Sequence, residues 1–327
     1  MDNSSNNHTG INKPMIADDE IDLRELLTAI WQGKLIIIVI TILFAVASVF
    51  YAINQPNIYR SEALLAPAEQ EQQGGLGALA GQFGGLASLA GVSLASGSVD
   101  KTQMALEVLQ SRKFTSEFIK KYNILPDLMA VKSWNSQSNA INYNKDLYLE
   151  SEAKWVREVE PPFKAEPSMQ EAYKEFTKIL SINANKENGL VTISIEHISP
   201  YIAEQWVNWL IQEINSTMKQ RDVVEANKST NFLISQIQQT KIADIRAVLY
   251  KLVEEQTKTI MFANVRDEYV FKTIDPAIVP EKKFKPKRAL ICFIGVVLGF
   301  FISCVFVLIR YFIKQGNSIS IKESRLG

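Results

Sequence analysis

The residue types that could do catalysis are few and scattered in this sequence. Only two histidines occur, His8 and His197, and neither lies in a zinc-binding His-Glu-x-x-His pattern. The Gly33–Lys34 pair is followed by leucine, so it does not complete the phosphate-binding pattern G-x-x-x-x-G-K-[ST]. A G-x-S-x-G nucleophile motif is also absent. Without a nucleophile, a base and an orienting residue at suitable spacing, we expect a protein that is not an enzyme.

Two acidic pairs, Glu254–Glu255 and Asp267–Glu268, are the remaining candidates for general acid–base chemistry. Adjacent residues of a helix point to different sides, so the first pair does not form a joint carboxylate site. We interpret these acids as solvated or as partners of Lys251, Lys258 or Arg266. The same reasoning makes His197, which lies between a predicted strand and a predicted helix, a structural residue.

The two cysteines, Cys292 and Cys304, both lie in one apolar run near the end of the chain. On a helix, residues 12 positions apart are separated by about 18 Å, which is too far for a disulfide. No Cys-x-x-Cys pattern is present. The sequence therefore predicts neither a metal site nor a cofactor, and the rest of the chain must fold without disulfides.

The elements that organise the chain are two uncharged apolar runs, Leu35–Ile53 and Ala289–Ile309. They contain 19 and 21 residues, and about 20 helical residues cross the hydrocarbon core of a bilayer. The first run is longer than the apolar part of a signal peptide and follows a tail of mixed charge. Ala45 and Ala47 supply an A-x-A pattern, but they lie inside the run. We therefore predict two retained transmembrane helices.

Two spans put both termini on one side of the membrane and residues 54–288 on the other. This domain is large enough to have its own core, and its size favours a place outside the cytoplasm, because long domains are translocated largely regardless of flanking charge. The chain has 35 basic and 35 acidic residues. This balance gives no electrostatic reason to expect nucleic acid as a partner.

The segment before the second span combines prolines with basic residues. Pro276, Pro280 and Pro286 disfavour regular helix and remove backbone donors, so we expect a stiff, extended lead into the membrane. The basic cluster Lys282–Arg288 is placed to meet lipid headgroups, and the alternative is that it only adds solubility.

Gly295 and Gly299 form a G-x-x-x-G pattern inside the second span. This spacing allows two membrane helices to approach closely, which makes the two glycines and the three prolines the candidate residues for membrane or oligomer packing. The alternative is that the glycines only reflect the usual composition of membrane helices.

Between the spans, apolar periodicity predicts a mixture of helices and strands. A polar tail, residues 1–17, precedes a predicted amphipathic helix, Asp18–Lys34, which we place along the membrane interface. Further predicted helices are Asp100–Tyr122, with Asp100 as its N-cap, and Ser168–Phe176; predicted strands are Tyr59–Ala66, Ile179–Asn185, Leu190–Glu196 and Glu268–Ile274, and Asp127–Pro167 is interpreted as short helices and turns.

Residues 72–99 are uncharged and contain eight glycines. A flexible loop near the membrane, a membrane-adsorbed segment and a third span are all open for this stretch. Dense glycine disfavours helix by about 1 kcal/mol per residue relative to alanine, which favours the loop.

Residues 199–264 carry no glycine, and their single proline, Pro200, stands at the start. Apolar residues recur there at helical spacing, so we predict long helical arms. If the strand Glu268–Ile274 joins the earlier strands, the chain must go out and return. We therefore expect a break near Asn227–Asn231, and a single continuous helix is the competing layout.

Three stretches resemble the Wzz-type polysaccharide chain-length determinants, or polysaccharide co-polymerases, of Gram-negative inner membranes. They are EIDLRELLTAIWQGKLIII at residues 20–38, ALEVLQSRKF at residues 105–114, and the stretch from Leu252 to Ile291 that contains the proline segment. The resemblance implies an α+β membrane protein whose two transmembrane helices flank a periplasmic domain with a small α/β base near the membrane and long extended helices. The implied parts are a cytoplasmic tail with an amphipathic helix (1–34), transmembrane helix 1 (35–53), the periplasmic chain-length determinant domain (54–288), transmembrane helix 2 (289–309) and a cytoplasmic tail (310–327).

The resemblance also implies a function. Such proteins form homo-oligomeric rings and act with the O-antigen polymerase and lipid-linked polysaccharide to set the number of repeats, without catalysing a reaction. A related branch consists of membrane adaptors of tyrosine autokinases in capsule or exopolysaccharide export, and this is the alternative function. With 18 residues after Ile309, we expect no fused kinase.

Overall fold

The computed structural model describes residues 23–68 and 101–323, and side chains within 27–68 and 101–313. His8, the polar tail, the predicted N-cap Asp100 and the glycine-rich stretch 72–99 lie outside the described residues. By their contacts, Met1–Gln55 and Lys287–Gly327 form one unit, and Pro56–Pro286 form a second.

The described helices and strands follow the chain in this order. The helices are α1 (Leu23–Gln32), α2 (Lys34–Asn54), α3 (Lys101–Leu109), α4 (Arg112–Tyr122), α5 (Leu125–Met129), α6 (Met169–Ile179), α7 (Pro200–Gln239), α8 (Ala243–Val265) and α9 (Arg288–Glu323). The strands are β1 (Tyr59–Pro67), β2 (Val131–Asn135), β3 (Ala140–Tyr143), β4 (Tyr148–Leu149), β5 (Lys154–Trp155), β6 (Leu180–Ala184), β7 (Val191–His197) and β8 (Phe271–Asp275), and a 3-10 turn covers Glu150–Glu152.

The first unit contains the two predicted spans. Lys34–Asn54 and Arg288–Ile313 are long and apolar enough to cross a membrane, and each contains the run predicted from the sequence. Most of their large apolar side chains are exposed, as lipid-facing residues are. The predicted amphipathic helix is shorter than expected at its end, because it stops at Gln32 and a turn at Gly33 separates it from α2.

The second unit is built on an antiparallel four-stranded sheet in the order β6-β7-β1-β8. Strand β1 pairs with β7 from Tyr59↔His197 to Leu65↔Val191, and β8 pairs along its other edge. The predicted strands and the joining of the last strand to the earlier ones are confirmed. The last strand begins at Phe271 rather than Glu268, and Glu268 instead accepts a hydrogen bond from the Thr273 N–H at 2.8 Å.

One face of this sheet packs against helices to form the core. Val191, Ile193 and Ile195 alternate along β7 and are buried, as expected for a strand with one covered face. The long helix α7 covers them with its first half, and the buried residues of that half include Trp206, Leu210 and Ile214; α3, α4 and α6 contribute the rest of the same core.

The predicted helix Asp100–Tyr122 is wrong as a single element. Helix α3 ends at Leu109 and α4 begins at Arg112. Ser111 has extended backbone angles, and its side chain accepts a hydrogen bond from the Phe114 N–H at 3.2 Å. A serine in this position caps a new helix, and this bond competes with continuation of the old one.

The interpretation of Asp127–Pro167 as short helices and turns is confirmed in part, but it missed four short strands. Only α5 and one 3-10 turn are helical there, and the stretch contains the two small antiparallel pairs β2–β3 and β4–β5. Their aromatic side chains pack on each other, with ring centroids of Tyr148 and Trp155 5.0 Å apart. Strands this short depend on such cross-strand pairs, which sequence periodicity does not show.

The two helical arms are confirmed, but the break near Asn227–Asn231 is wrong. Helix α7 runs through that stretch to Gln239, and the chain turns at residues 240–242. The Asn227 amide is exposed and donates to the Val223 carbonyl of its own helix at 2.9 Å, so it remains within the helix. Helix α8 then returns along α7, and the Lys219 amine reaches the Arg266 carbonyl at 3.3 Å. The predicted α+β fold class, with two membrane helices flanking a mixed domain with long helices, is confirmed.

Candidate functional site

The two membrane helices pack on each other through the glycines that the sequence singled out. A Cβ atom added to Gly295 would lie 2.4 Å from the Ser48 Cβ, and one added to Gly299 would lie 2.6 Å from the Phe44 Cβ. Real Cβ atoms do not approach other heavy atoms this closely, so only glycine fits at both positions. The G-x-x-x-G face is occupied by the chain's own first span. Its role in oligomer packing stays a prediction.

A third glycine extends this close approach along the same pair of helices. A Cβ on Gly33 would lie 2.3 Å from a methyl carbon of Val307. Ala29 and Ala52 of the same unit are also buried, with exposures of 1% and 0%. Small residues therefore recur among the buried positions of this unit, together with Ile37 and Val307, while most of the other large apolar residues are exposed.

The proline segment lies against the start of β1. The Ile58 N–H donates to the Lys285 carbonyl at 3.0 Å, and the Phe284 N–H donates to the Ile58 carbonyl at 2.8 Å. The Ser61 hydroxyl donates to the Ile278 carbonyl at 2.7 Å. No helix forms between residues 276 and 287, as Pro276, Pro280 and Pro286 predicted. Their part in membrane or oligomer packing stays a prediction.

The basic residues of this segment divide into paired and solvent-facing groups. Lys285 forms an ion pair with Glu196 at 2.6 Å, and Lys283 contacts the Asn57 amide oxygen at 3.5 Å. Lys282 and Lys287 are exposed. Their amines can meet an anionic surface, as can the exposed parts of Lys283 and Lys285.

The helical arms expose many apolar side chains beyond the core. The buried residues of α7 end at Ala226, and Ala263 is the buried residue of α8. Phe232 is 63% exposed and Ile245 is 47% exposed. The other exposed apolar residues of the arms and their turn are Val224, Ile234, Ile242, Val248, Tyr250, Met261 and Val265. These exposed apolar side chains make the arms a candidate surface for contact with a partner.

His197 is a structural residue in this fold. Its side chain is 7% exposed. The Ser199 N–H donates to Nδ1 at 3.0 Å, which leaves Nε2 as the protonated nitrogen that donates to the Asp127 carbonyl at 3.0 Å. Burial lowers the pKa of His197, so the ring is neutral. His197 joins the end of β7 to α5, and both of its ring nitrogens are used in these hydrogen bonds.

The candidate carboxylates are also engaged in local contacts. Glu254 and Glu255 both reach the Lys258 amine, at 2.9 and 3.2 Å. Glu268 accepts from the backbone of Thr273. Among the described residues, no group of three or more His, Cys, Asp and Glu side chains could hold a metal ion. The geometry thus assembles no reaction centre from these residues.

Sequence reasoning missed Asn215, the polar residue that ties α7 to β8. Its Oδ1 accepts hydrogen bonds from the Val270 and Phe271 N–H groups, and its Nδ2 donates to the Phe271 carbonyl. Asn215 lies four residues after Ile211 and three before Met218, on the apolar face of the helix. A polar residue on that face was the signal that could have revealed it.

Two family models match the chain. Residues 19–122 match the family Wzz, described as "Chain length determinant protein". Residues 235–312 match the family GNVR, described as "G-rich domain on putative tyrosine kinase". Each matched range contains one span, and residues 123–234 lie between the two ranges.

Two solved structures match the chain at low sequence identity. One, a "full-length bacterial polysaccharide co-polymerase", is 15% identical, with 90% of this chain and 99% of that chain covered and a TM-score of 0.38. The other, a "Fragment of WzzB, Polysaccharide Co-polymerase from Salmonella Typhimurium", is 11% identical, with 70% of this chain and 100% of that chain covered and a TM-score of 0.28. No curated protein matches the chain.

Proposed function

The chain belongs to the Wzz-type chain length determinants, and from this premise we propose that it regulates the length of an O-antigen or related lipopolysaccharide polymer. The observation that carries the proposal is the match of residues 19–122 to the chain length determinant family. It confirms the family resemblance found in the sequence. We propose that the regulation is non-enzymatic, and the engagement of His197, Glu254 and Glu255 in structural contacts supports this.

The protein acts as an oligomeric scaffold in the bacterial inner membrane. Both termini lie in the cytoplasm and the domain between the spans lies in the periplasm, where it works with the polymerase and its lipid-linked polysaccharide. The exposed apolar side chains of α7 and α8 support self-association, because their burial against a second copy would stabilise the oligomer.

Contacts with the membrane complete the scaffold. Lys282 and Lys287 meet anionic headgroups, and each such charge contributes about 1 kcal/mol near an anionic surface. Pro276, Pro280 and Pro286 hold the lead into the second span in an extended form. Gly295 and Gly299 keep the two spans in close contact, which supports one fixed arrangement of membrane helices for assembly.

The decisive experiment is electrophoresis of lipopolysaccharide from cells that carry or lack this gene. Deletion is expected to replace a clustered distribution of polymer lengths by a random one, and plasmid-borne wild type is expected to restore the cluster. A ladder that is identical in both strains would contradict the proposal.

The same assay tests the scaffold when it is combined with the oligomer size of the full-length protein in detergent. Phe232→Asp places a charge on the exposed face of the arm and is expected to reduce oligomer size and broaden the ladder. Phe163→Asp is the matched control, because Phe163 is 55% exposed and lies outside the arms. Equal behaviour of the two variants would remove the arms from the assembly.

A second candidate function is a membrane adaptor for a tyrosine autokinase in capsule or exopolysaccharide export. The match of residues 235–312 to the GNVR family favours it. This function predicts that deletion leaves the lipopolysaccharide ladder unchanged, abolishes a secreted polysaccharide and lowers tyrosine phosphorylation of the kinase. The two candidates therefore differ in which polymer changes in one deletion strain.

A further inference from the structure

Three aromatic rings from separate elements meet outside the main core. Tyr59 begins β1, Trp134 lies on β2 and Tyr201 is the second residue of α7. The Tyr59 and Trp134 rings are 5.6 Å apart with an edge-to-face arrangement, and the Trp134 and Tyr201 rings are 6.3 Å apart. None of the three belongs to the buried core, and Tyr201 is 48% exposed. The rings therefore form a surface feature.

Polar groups surround these rings and retain unused hydrogen-bonding capacity. The Trp134 indole N–H donates to Asn139 Oδ1 at 2.8 Å, and Asn142 Nδ2 donates to the Ser133 hydroxyl at 3.3 Å. Asn139, Asn142 and Ser133 are exposed. Within the described residues, the Tyr59 and Tyr201 hydroxyls make no hydrogen bond. We name this set of residues the Trp134 surface: Tyr59, Ser133, Trp134, Asn139, Asn142 and Tyr201.

This combination of groups matches the chemistry of a pyranose sugar. A pyranose ring has faces of C–H groups that pack on an aromatic ring, and its rim carries hydroxyls that donate and accept hydrogen bonds. Aromatic rings supply the apolar contact, and amides and phenols supply both donors and acceptors. A site of few convergent polar groups around an apolar platform is the usual form of a small-ligand site. Neutral sugar is therefore the ligand class that uses every part of the Trp134 surface.

The position of the surface along the chain suits a membrane-bound polysaccharide. Tyr59 follows Asn54, the last residue of α2, by five positions in the sequence. Trp134 and Tyr201 lie between the two ranges that the family models match. Two of the three rings thus come from a part of the chain that neither model describes, which is where recognition of one particular polymer can differ.

We propose that the Trp134 surface binds hexose units of the polysaccharide whose length this protein regulates. The proposal rests on the function proposed above. Binding by stacking and a few hydrogen bonds holds a growing chain weakly at the scaffold, so that the chain remains in contact with the protein while repeats are added.

Saturation-transfer NMR on the full-length protein in detergent tests this directly. The probes are O-polysaccharide and exopolysaccharide released from the same cells by mild acid, and dextran is the control polymer. Saturation is expected to pass to sugar C–H protons of one cellular polymer. Trp134→Ala is expected to weaken binding at least tenfold, and Tyr201→Phe, which keeps the ring and removes one hydrogen bond, about fivefold.

Tyr250→Phe is the matched control, because Tyr250 is 58% exposed on α8 and lies outside this surface. It is expected to bind as the wild type does. Since Trp134→Ala could unfold the small β2–β3 sheet, Tyr201→Phe is the deciding variant. Binding by Tyr201→Phe equal to that of Tyr250→Phe would overturn the proposal, and so would the absence of saturation transfer to the wild type.

The result separates this proposal from the function on which it rests. If deletion of the gene randomises polymer length and the wild type transfers no saturation, the Trp134 surface is not a sugar site and the length function stands. If the wild type binds through Tyr201 and deletion leaves every polymer length unchanged, the sugar site stands and the length function falls.

Discussion

Asn215 fastens the last strand of the sheet to the long helix α7, and its replacement tests how the domain holds together. Asn215 Oδ1 accepts from the Val270 N–H at 2.8 Å and the Phe271 N–H at 2.9 Å, and Nδ2 donates to the Phe271 carbonyl at 3.0 Å. The Asn215 residue is 4% exposed. Water is therefore excluded as a substitute partner, and removal of the amide leaves buried backbone groups unpaired.

The expected loss follows from these three bonds. Each intramolecular hydrogen bond contributes about 1 kcal/mol net, and a buried group left without a partner costs about 1–3 kcal/mol. We expect Asn215→Ala to lower the free energy of unfolding by about 3–5 kcal/mol, which is a large part of a typical total of about 5–15 kcal/mol. For a domain of this size the loss corresponds to a melting temperature lower by about 6–20 °C.

The assay is thermal unfolding of the full-length protein in detergent, followed by circular dichroism and tryptophan fluorescence. Asn227→Ala is the control on the same helix, because the Asn227 amide is exposed and bonds only to Val223 of its own helix. We expect that control to change stability by less than about 0.5 kcal/mol. The reasoning is refuted if the Asn215 and Asn227 variants lose the same stability.

Asn215→Asp refines the same test. An ionised aspartate keeps the two acceptor bonds but faces the Phe271 carbonyl without a proton to donate, whereas protonated aspartate can donate to it. Burial raises the pKa of such a carboxyl, so the folded state binds a proton more tightly than the unfolded state, and stability falls as pH rises through the folded pKa. Relative to the wild type at the same pH, Asn215→Asp is expected to be nearer normal at pH 5 than at pH 8. A constant difference would show that the donor to Phe271 is unimportant.

Three further predictions concern other contacts. Gly295→Ala is expected to lower stability in detergent by about 1–3 kcal/mol through overpacking, and Ser48→Gly is expected to restore it; failure of the double variant to recover would contradict the close approach. In the unfolded chain the His197 ring binds a proton below pH about 6.5, whereas burial lowers its pKa in the folded protein. The free energy of unfolding should therefore fall by about 1 kcal/mol between pH 7 and pH 5.5. Urea unfolding of His197→Gln at the two pH values should not show this pH-dependent loss. Arg157 holds the pKa of Glu171 at about 2, so the stabilisation from this ion pair is present above the unfolded pKa of Glu171 and is lost as pH falls toward 2. At pH 7, Glu171→Gln should lower the free energy of unfolding in urea by about 1–3 kcal/mol. An equal loss in the exposed control Glu117→Gln would contradict a stabilising Arg157–Glu171 pair.

Much of the architecture was predictable because local physics determines it. Uncharged runs such as Leu35–Ile53 are long and apolar enough to cross a membrane, so length and composition identify them as candidate spans. Alternation in Val191–His197 and the proline at the start of α7 indicated a strand and a helix that the structure contains. Pro276 and its neighbours excluded helix from their segment in the same way. Each of these signals lies within a few residues of the element that it determines.

Other features were missed because specific side-chain contacts decide them, and hydrophobic periodicity does not show such contacts. The turn of the arms was expected at Asn227–Asn231 from polarity, yet exposed polar residues are compatible with helix when solvent or their own helix satisfies them. The small sheets near Trp134 and Trp155 depend on ring contacts that no periodicity shows. Sequence also did not reveal that α3 ends before Ser111, where one side-chain hydrogen bond decides the boundary.

The sequence by itself determined that this protein has two membrane helices, a domain of helices and strands between them, and the pattern of its family. Only the tertiary structure decided that the partner of Gly295 and Gly299 is the chain's own first span, that Asn215 holds β8, and that Tyr59, Trp134 and Tyr201 form one surface. The physical reason is that hydrophobic length and periodicity act locally along the chain, whereas close packing and buried hydrogen bonds join residues separated by tens to hundreds of positions.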